Sequence, residues 1–117
     1  MKILIPIETS IRELTYKVYL SRLLSKKGFQ CYLGNKSSIS YLTTIFKNYI
    51  YLDKGYHKGV SEKIYERVKK NNGIVISLDE EGAVDFSNNS TLLKRYSQVH
   101  IDNCKLIFLW GIHQYKL

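Results

Sequence analysis

Five short apolar runs, none longer than a single strand, constrain this chain more than any other feature. They are Lys2 to Ile7, Phe29 to Leu33, Tyr49 to Leu52, Gly73 to Ile76 and Lys105 to Trp110. Each run is nearly continuous in apolar residues, the pattern of a strand covered on both faces. Between them lie stretches whose apolar residues recur at helical spacing. Strands that alternate with helices argue for a parallel sheet with helices on both sides. The expected fold is therefore α/β, a Rossmann-like three-layer sandwich on a parallel sheet of about five strands. The strand order is not written in the sequence, and 3-2-1-4-5 is the expectation.

The helical stretches carry their own punctuation. Ser10 and Glu13 have the Ser-x-x-Glu spacing of a capping box, and Gly28 after Lys26-Lys27 is a C-terminal stop. Tyr16, Leu20, Leu23 and Leu24 are expected to form the inner face of that first helix. Ser37 or Ser38 can cap a second helix, with Ile39, Leu42, Ile45 and Phe46 on one face. Ser61 to Lys70 reads as a third, with Ile64 and Val68 inward and Glu66 and Lys70 paired on an exposed side. A short amphipathic helix is expected over Thr91 to Tyr96, and the first turns of another over Ile112 to Leu117. Pro6 cannot donate to a sheet ladder, so it is expected where pairing of the first strand is already ending.

Right-handed crossovers put every strand-to-helix junction on one edge of such a sheet, and ligands bind in the crevice outside that edge. The junctions carry Glu8 and Arg12, then Asn35 and Lys36, Asp53 and Lys54, Asp79-Glu80-Glu81, and finally Gly111 and His113. The acidic triplet follows the buried run Gly73 to Ile76 in a chain that is otherwise basic, which makes it the leading candidate site. Two carboxyl groups held together at a strand end repel, raising the pKa of at least one, as a general base for a sugar hydroxyl requires. Glu80 and Glu81 are the candidate bases. The expected order would bring Glu8 beside the triplet, and Arg12, Lys36 and Lys54 could hold an anionic group or simply neutralise it. A solvated turn or an acidic helix start accounts for the triplet equally well, and both readings stay open here.

Other chemistries are less well provided for. No Gly-x-Gly-x-x-Gly follows the first strand and no Walker-type Gly-Lys-Ser/Thr occurs, which argues against a dinucleotide or P-loop site, and no cofactor is expected. His57, His100 and His113 are too far apart for a local metal motif, and Cys31 and Cys104 make neither a disulfide framework nor a metal-ligand spacing. Eighteen Lys and Arg against ten Asp and Glu leave a formal charge of +8, which favours anionic partners. The charges are dispersed, and the ten tyrosines lack the stacked pattern of a strand-binding sheet. Nucleic acid is therefore not an expected partner. The N-terminal run shows no cleavage site and no segment is long enough to span a membrane, so the expected location is cytoplasmic.

Taken together, Ile5-Pro6-Ile7-Glu8-Thr9 with Arg12-Glu13-Leu14, Tyr32-Leu33-Gly34-Asn35-Lys36, Ile50-Tyr51-Leu52-Asp53-Lys54, Leu78-Asp79-Glu80-Glu81-Gly82 and Phe108-Leu109-Trp110-Gly111 form a series. In that order they resemble the N-terminal half of the bacterial surface carbohydrate (surface polysaccharide) biosynthesis protein family, which is glycosyltransferase-like. The resemblance implies a GT-B-like architecture, two Rossmann-like domains facing each other across a cleft. The N-terminal domain of such a protein mostly receives the acceptor, and the C-terminal domain holds the sugar nucleotide. Glu8, Arg12, Asp53, Lys54, Glu80 and Glu81 match motif positions and would line the cleft.

The 117 residues end just after the fifth run, so the donor domain that the resemblance implies is absent from them. They are expected to form a single domain that does not transfer sugar alone. A saccharide or lipid-linked acceptor is the expected partner, with sugar nucleotide reached only through the absent domain. Peripheral contact with the anionic inner membrane surface and self-association through an uncovered sheet edge are further expectations. The alternative is a non-catalytic flavodoxin-like binding or regulatory module. Its receiver-type member would carry an acidic pair after the first strand, where this chain has Glu8-Thr9.

Overall fold

In the computed structural model, which describes residues 1–8, 10–54, 59–78 and 104–108, the apolar runs pair into one parallel five-stranded sheet. The strands are β1 (Lys2–Ile7), β2 (Gln30–Asn35), β3 (Tyr49–Asp53), β4 (Ile74–Leu78) and β5 (Cys104–Phe108). Helices α1 (Ser10–Lys26), α2 (Lys36–Ile45) and α3 (Ser61–Lys70) lie between the first four. The Rossmann-like α/β sandwich is thus present, with the strand order β2-β1-β3-β4-β5. This corrects the expected order. The third strand lies not outside β2 but on the other flank of β1, with Leu4 opposite Tyr51.

The reason lies in the side chains of β3. Tyr49 and Tyr51 are 1% and 2% exposed, packed with Leu4, Ile39, Ile64, Tyr65, Val68 and Val75 in one core cluster. Two rings of that size on one face need helices over both flanks. A central strand beneath α2 and α3 supplies them, and a margin strand does not. The sheet therefore reverses direction between β1 and β3, and that is its switch point.

Successive residues of a strand face opposite sides, and β1 shows it. Leu4 joins the core under α2 and α3, while Ile3, Ile5 and Ile7 are buried on the face that α1 covers. Cys31, paired with Ile3, marks that face through its Sγ contact with the Ser21 carbonyl of α1. Pro6 is still opposite Gly34 of β2, but the pairing of β1 with β3 ends at Leu4. The missing N–H is thus on a stretch already leaving the β3 ladder.

α1 departs from its expected inner face. Tyr16 and Leu23 are exposed and Leu20 and Leu24 half-buried, while among the described side chains of α1 the positions turned fully inward are Glu13 and Lys17. The stripe 13, 17, 20, 24 has true helical spacing, and a mutually paired acid and base can occupy it. α2 is capped by Asn35, not by Ser37 or Ser38: the Asn35 Oδ1 accepts from the Ser38 N–H at 2.8 Å. Along α2, Ile39 is buried but Ile45 is exposed, and Thr43 takes the inward place. α3 follows expectation in burial, with Ile64 and Val68 buried and Glu66 and Lys70 exposed, but Glu66 and Lys70 form no ion pair with each other. Gly28, at φ +97, ends the turn after α1 as expected of a C-terminal glycine. Gly73 is required for another reason: a Cβ there would lie 2.8 Å from Val68 Cγ1 and 2.9 Å from Tyr49 Cε1. The expected helices at 91–96 and 112–117 lie outside the described residues.

A charged junction at the ends of β1 and β3

Because β3 neighbours β1, the residues that end these two strands meet. Lys54, the first residue after β3, donates from Nζ to Glu8 Oε2 at 2.8 Å and to Glu13 Oε2 at 2.7 Å. Glu8, the first residue after β1, also lies 3.7 Å from the ammonium of Lys36 at the start of α2. Three of the junctions predicted to share the sheet edge are therefore joined by ion pairs. Lys54 lies beside Glu8, and the acidic triplet expected there lies outside the described residues. One strand, β3, separates β1 from β4.

The junction is rooted beneath α1. Glu13 is 3% exposed and Lys17 0%. The Lys17 ammonium donates to Glu13 Oε1 at 3.1 Å and to the Pro6 carbonyl at 2.7 Å, so the carbonyl next to the ladder break is used. Glu13 Oε1 also accepts from the Glu8 backbone N–H at 3.1 Å, two residues before the Ser10 position of the expected capping box. Each buried charge thus has a counter-charge and a hydrogen bond, the condition under which burial of ions is tolerated. From Lys17 outward the charges alternate: Glu13, Lys54, Glu8, Lys36. Exposure rises from Lys17 through Glu13 and Lys54 to Glu8, whose side chain is 46% exposed.

Asp53 is turned the other way. It is 6% exposed and accepts a hydrogen bond from the Tyr65 hydroxyl of α3. Burial first, then the nearby Asp53 charge, pushes the Tyr65 hydroxyl far above its ordinary pKa and does the same for Tyr51. The same two causes push the Cys104 thiol up to about 12. A thiol so protonated is a poor nucleophile at neutral pH. Adjacent residues Asp53 and Lys54, a single motif in sequence, therefore serve opposite faces of the sheet. The space enclosed between Glu8, Lys36, Asp53 and Lys54 is about 10 Å³, no more than one water. The junction is open to solvent at Glu8 and Lys36.

Among the sequence-predicted residues, Glu8, Lys36, Asp53 and Lys54 reach the one edge. Arg12 lies in the first turn of α1 and its side chain is outside the described set, as are Asp79, Glu80 and Glu81. Sequence reasoning missed Lys17 and Tyr65 and assigned Glu13 only a cap. The inward stripe of α1 was the available signal for the first and third. Among the described residues no group of His, Cys, Asp and Glu is placed to hold a metal ion, and no helix is long and apolar enough to cross a membrane.

Fold and site together define a Rossmann-like α/β domain with a charged junction at its switch point. No family model, curated protein or solved structure matches the chain.

Proposed function

We propose that this chain is the acceptor-side domain of a glycosyltransferase-like protein of bacterial surface polysaccharide biosynthesis. The observation that carries the reading is the ion-paired convergence of Glu8, Lys36 and Lys54 at the switch point, where a sheet of this kind binds its ligand. These residues come from three separate motifs of the resemblance. Glu8 presents a half-exposed carboxylate there, able to accept from sugar hydroxyls. Lys54, held by two carboxylates, fixes its position. Transfer with inversion needs a carboxylate that takes the proton of the acceptor hydroxyl as the new bond forms. Glu80 or Glu81 is the group proposed for that task, with Asp79 beside them. The sugar nucleotide would be held by a further domain outside these 117 residues, and the +8 charge suits an anionic lipid-linked acceptor at the inner membrane surface.

Saturation-transfer NMR on the chain with surface-polysaccharide oligosaccharides tests this. The expected result is transfer to the saccharide that Glu8→Gln abolishes, with no sugar-nucleotide turnover by the 117 residues alone. Saccharide contact indifferent to Glu8, or turnover by the isolated chain, would overturn it.

The strand order favours a second reading. Order 2-1-3-4-5 with the crevice between β1 and β3 is that of flavodoxin-like modules, so a non-catalytic binding or regulatory domain is the alternative. It predicts a small-molecule ligand in place of a saccharide in the same experiment.

A further inference from the structure

A second feature of the same sheet edge is independent of that reading. α2 and α3 pack side by side with both N-termini at this edge, and between them lies an open groove of about 440 Å³. This is within the range of roughly 300–1,000 Å³ usual for small-ligand sites. Lys36, Lys63 and Arg67 line it together with Ser37 and Ser40, and among the described residues no acidic side chain does. Two carboxylates stand near its rim: Glu8, 3.7 Å from Lys36, and Glu62, which accepts from the Gly59 N–H.

Arg67 is built into position. Its Nη1 donates to the Ser40 Oγ at 2.8 Å and to the Ser40 carbonyl at 3.3 Å, with Thr43 Oγ1 at 3.4 Å. These bonds run from α3 to α2 and hold the guanidinium across the groove, and all of them use one nitrogen. Among the described residues neither Arg67 nor Lys63 has a carboxylate within ion-pair distance. A fixed guanidinium with its remaining N–H groups uncommitted matches the oxygens of a phosphate, and a flexible lysine on the same wall adds charge. The N-termini of two ten-residue helices open on the end of the groove that holds Lys36, Ser37 and Lys63, while Arg67 lies in the last turn of α3.

We infer that the α2–α3 groove binds the phosphate group of a phosphorylated ligand, with Arg67 as the oriented donor, Lys36 and Lys63 as counter-charges, and Ser37 and Ser40 at the wall. It lies beside the junction, sharing Lys36 with it, so a phosphorylated ligand bound here would reach Glu8.

Titrating the full chain with inorganic pyrophosphate, followed by NMR, tests the assignment. Saturable shifts are expected at Ser37, Ser40, Lys63 and Arg67. Lys63→Glu should weaken binding about tenfold, the size of one charge-assisted hydrogen bond. Arg67→Lys should weaken it comparably with the charge retained. Lys26→Glu, at the far end of α1, should change it less than about twofold. Lys63 is exposed, so its replacement leaves the fold intact. Binding to vesicles of phosphatidic acid in phosphatidylcholine, displaced by pyrophosphate, would identify the phosphate as a lipid headgroup. Pyrophosphate binding without vesicle binding would identify a soluble phosphate ester, and either outcome upholds the site. Shifts that do not saturate, or an equal loss in Lys26→Glu and Lys63→Glu, would overturn it and reduce the groove to part of a generally basic surface.

Discussion

The two faces of the sheet bury polar atoms in different currencies. Under α1 a full ion pair, Glu13 with Lys17, lies inside the protein, and its contacts continue outward through Lys54 to Glu8 and Lys36. Under α2 and α3 the buried polar groups are mostly hydroxyls, of Tyr49, Tyr65, Thr43 and Ser61, and the Asp53 carboxylate is buried among them. Tyr49 donates to the Thr43 carbonyl at 2.8 Å, and Tyr65 donates to Asp53. The ionic series runs to the surface and orients the exposed junction. The hydroxyl contacts stay inside and tie α3 and the end of α2 to β3. The difference teaches which face governs the site: the electrostatics at the sheet edge are anchored on α1, and the tyrosine face supplies core stability.

The sharpest way to break the comparison is to remove the buried ammonium. Lys17→Met leaves Glu13 with one cation fewer in the interior and should cost about 3–5 kcal/mol in urea unfolding. Adding Glu13→Gln to that variant should cost less than the sum of the single changes, because the two charges depend on each other. On the other face, Tyr65→Phe withdraws a donor from the buried Asp53 carboxylate and should cost about 1–3 kcal/mol. A larger loss for Tyr65→Phe than for Lys17→Met would reverse the assignment of roles.

The tyrosine face also sets an alkaline limit. Burial raises the pKa of Tyr49, Tyr51 and Tyr65 above the ordinary 10.0, and that of Cys104 to about 12 from 9.0. For a group whose folded pKa is raised, the stabilisation is complete below the unfolded value and is lost as pH climbs toward the folded one. Stability should therefore be level up to about pH 9 and fall above it. The NMR ionisation shifts of Tyr49, Tyr51 and Tyr65 should appear together with loss of helical circular dichroism, later than those of the exposed Tyr16, Tyr19 and Tyr41. Ionisation of the three buried tyrosines well before unfolding would show that these hydroxyls are open to water.

Much of this was legible in the chain. The continuous apolar runs fix strand positions because only a doubly covered strand tolerates them, and Ser61–Lys70 was readable as a helix to the residue. Residues on either side of a strand end were also placed at one edge. The pairing of β3 with β1 was not readable, since it depends on where Tyr49 and Tyr51 find cover, a property of assembled helices and not of local pattern. The same holds for the site: Glu8, Lys36 and Lys54 were each identifiable, but that Lys54 lies beside Glu8 follows from the pairing of β3 with β1. The buried Glu13–Lys17 pair was hidden because charged residues are read as solvated by default, although their helical spacing with Leu20 and Leu24 places them inward.

The smallest expected change in stability belongs to the residue expected to matter most for function. Glu8→Gln removes a half-exposed partner of Lys54 and Lys36 and should shift stability by only about 0.5 kcal/mol. That makes it the cleanest probe of the central claim. Glu8→Gln introduced into the producing cell, with protein level and surface polysaccharide measured together, tests the claim directly. The account predicts polysaccharide sharply reduced at an unchanged protein level. Polysaccharide unchanged at that same level would contradict it.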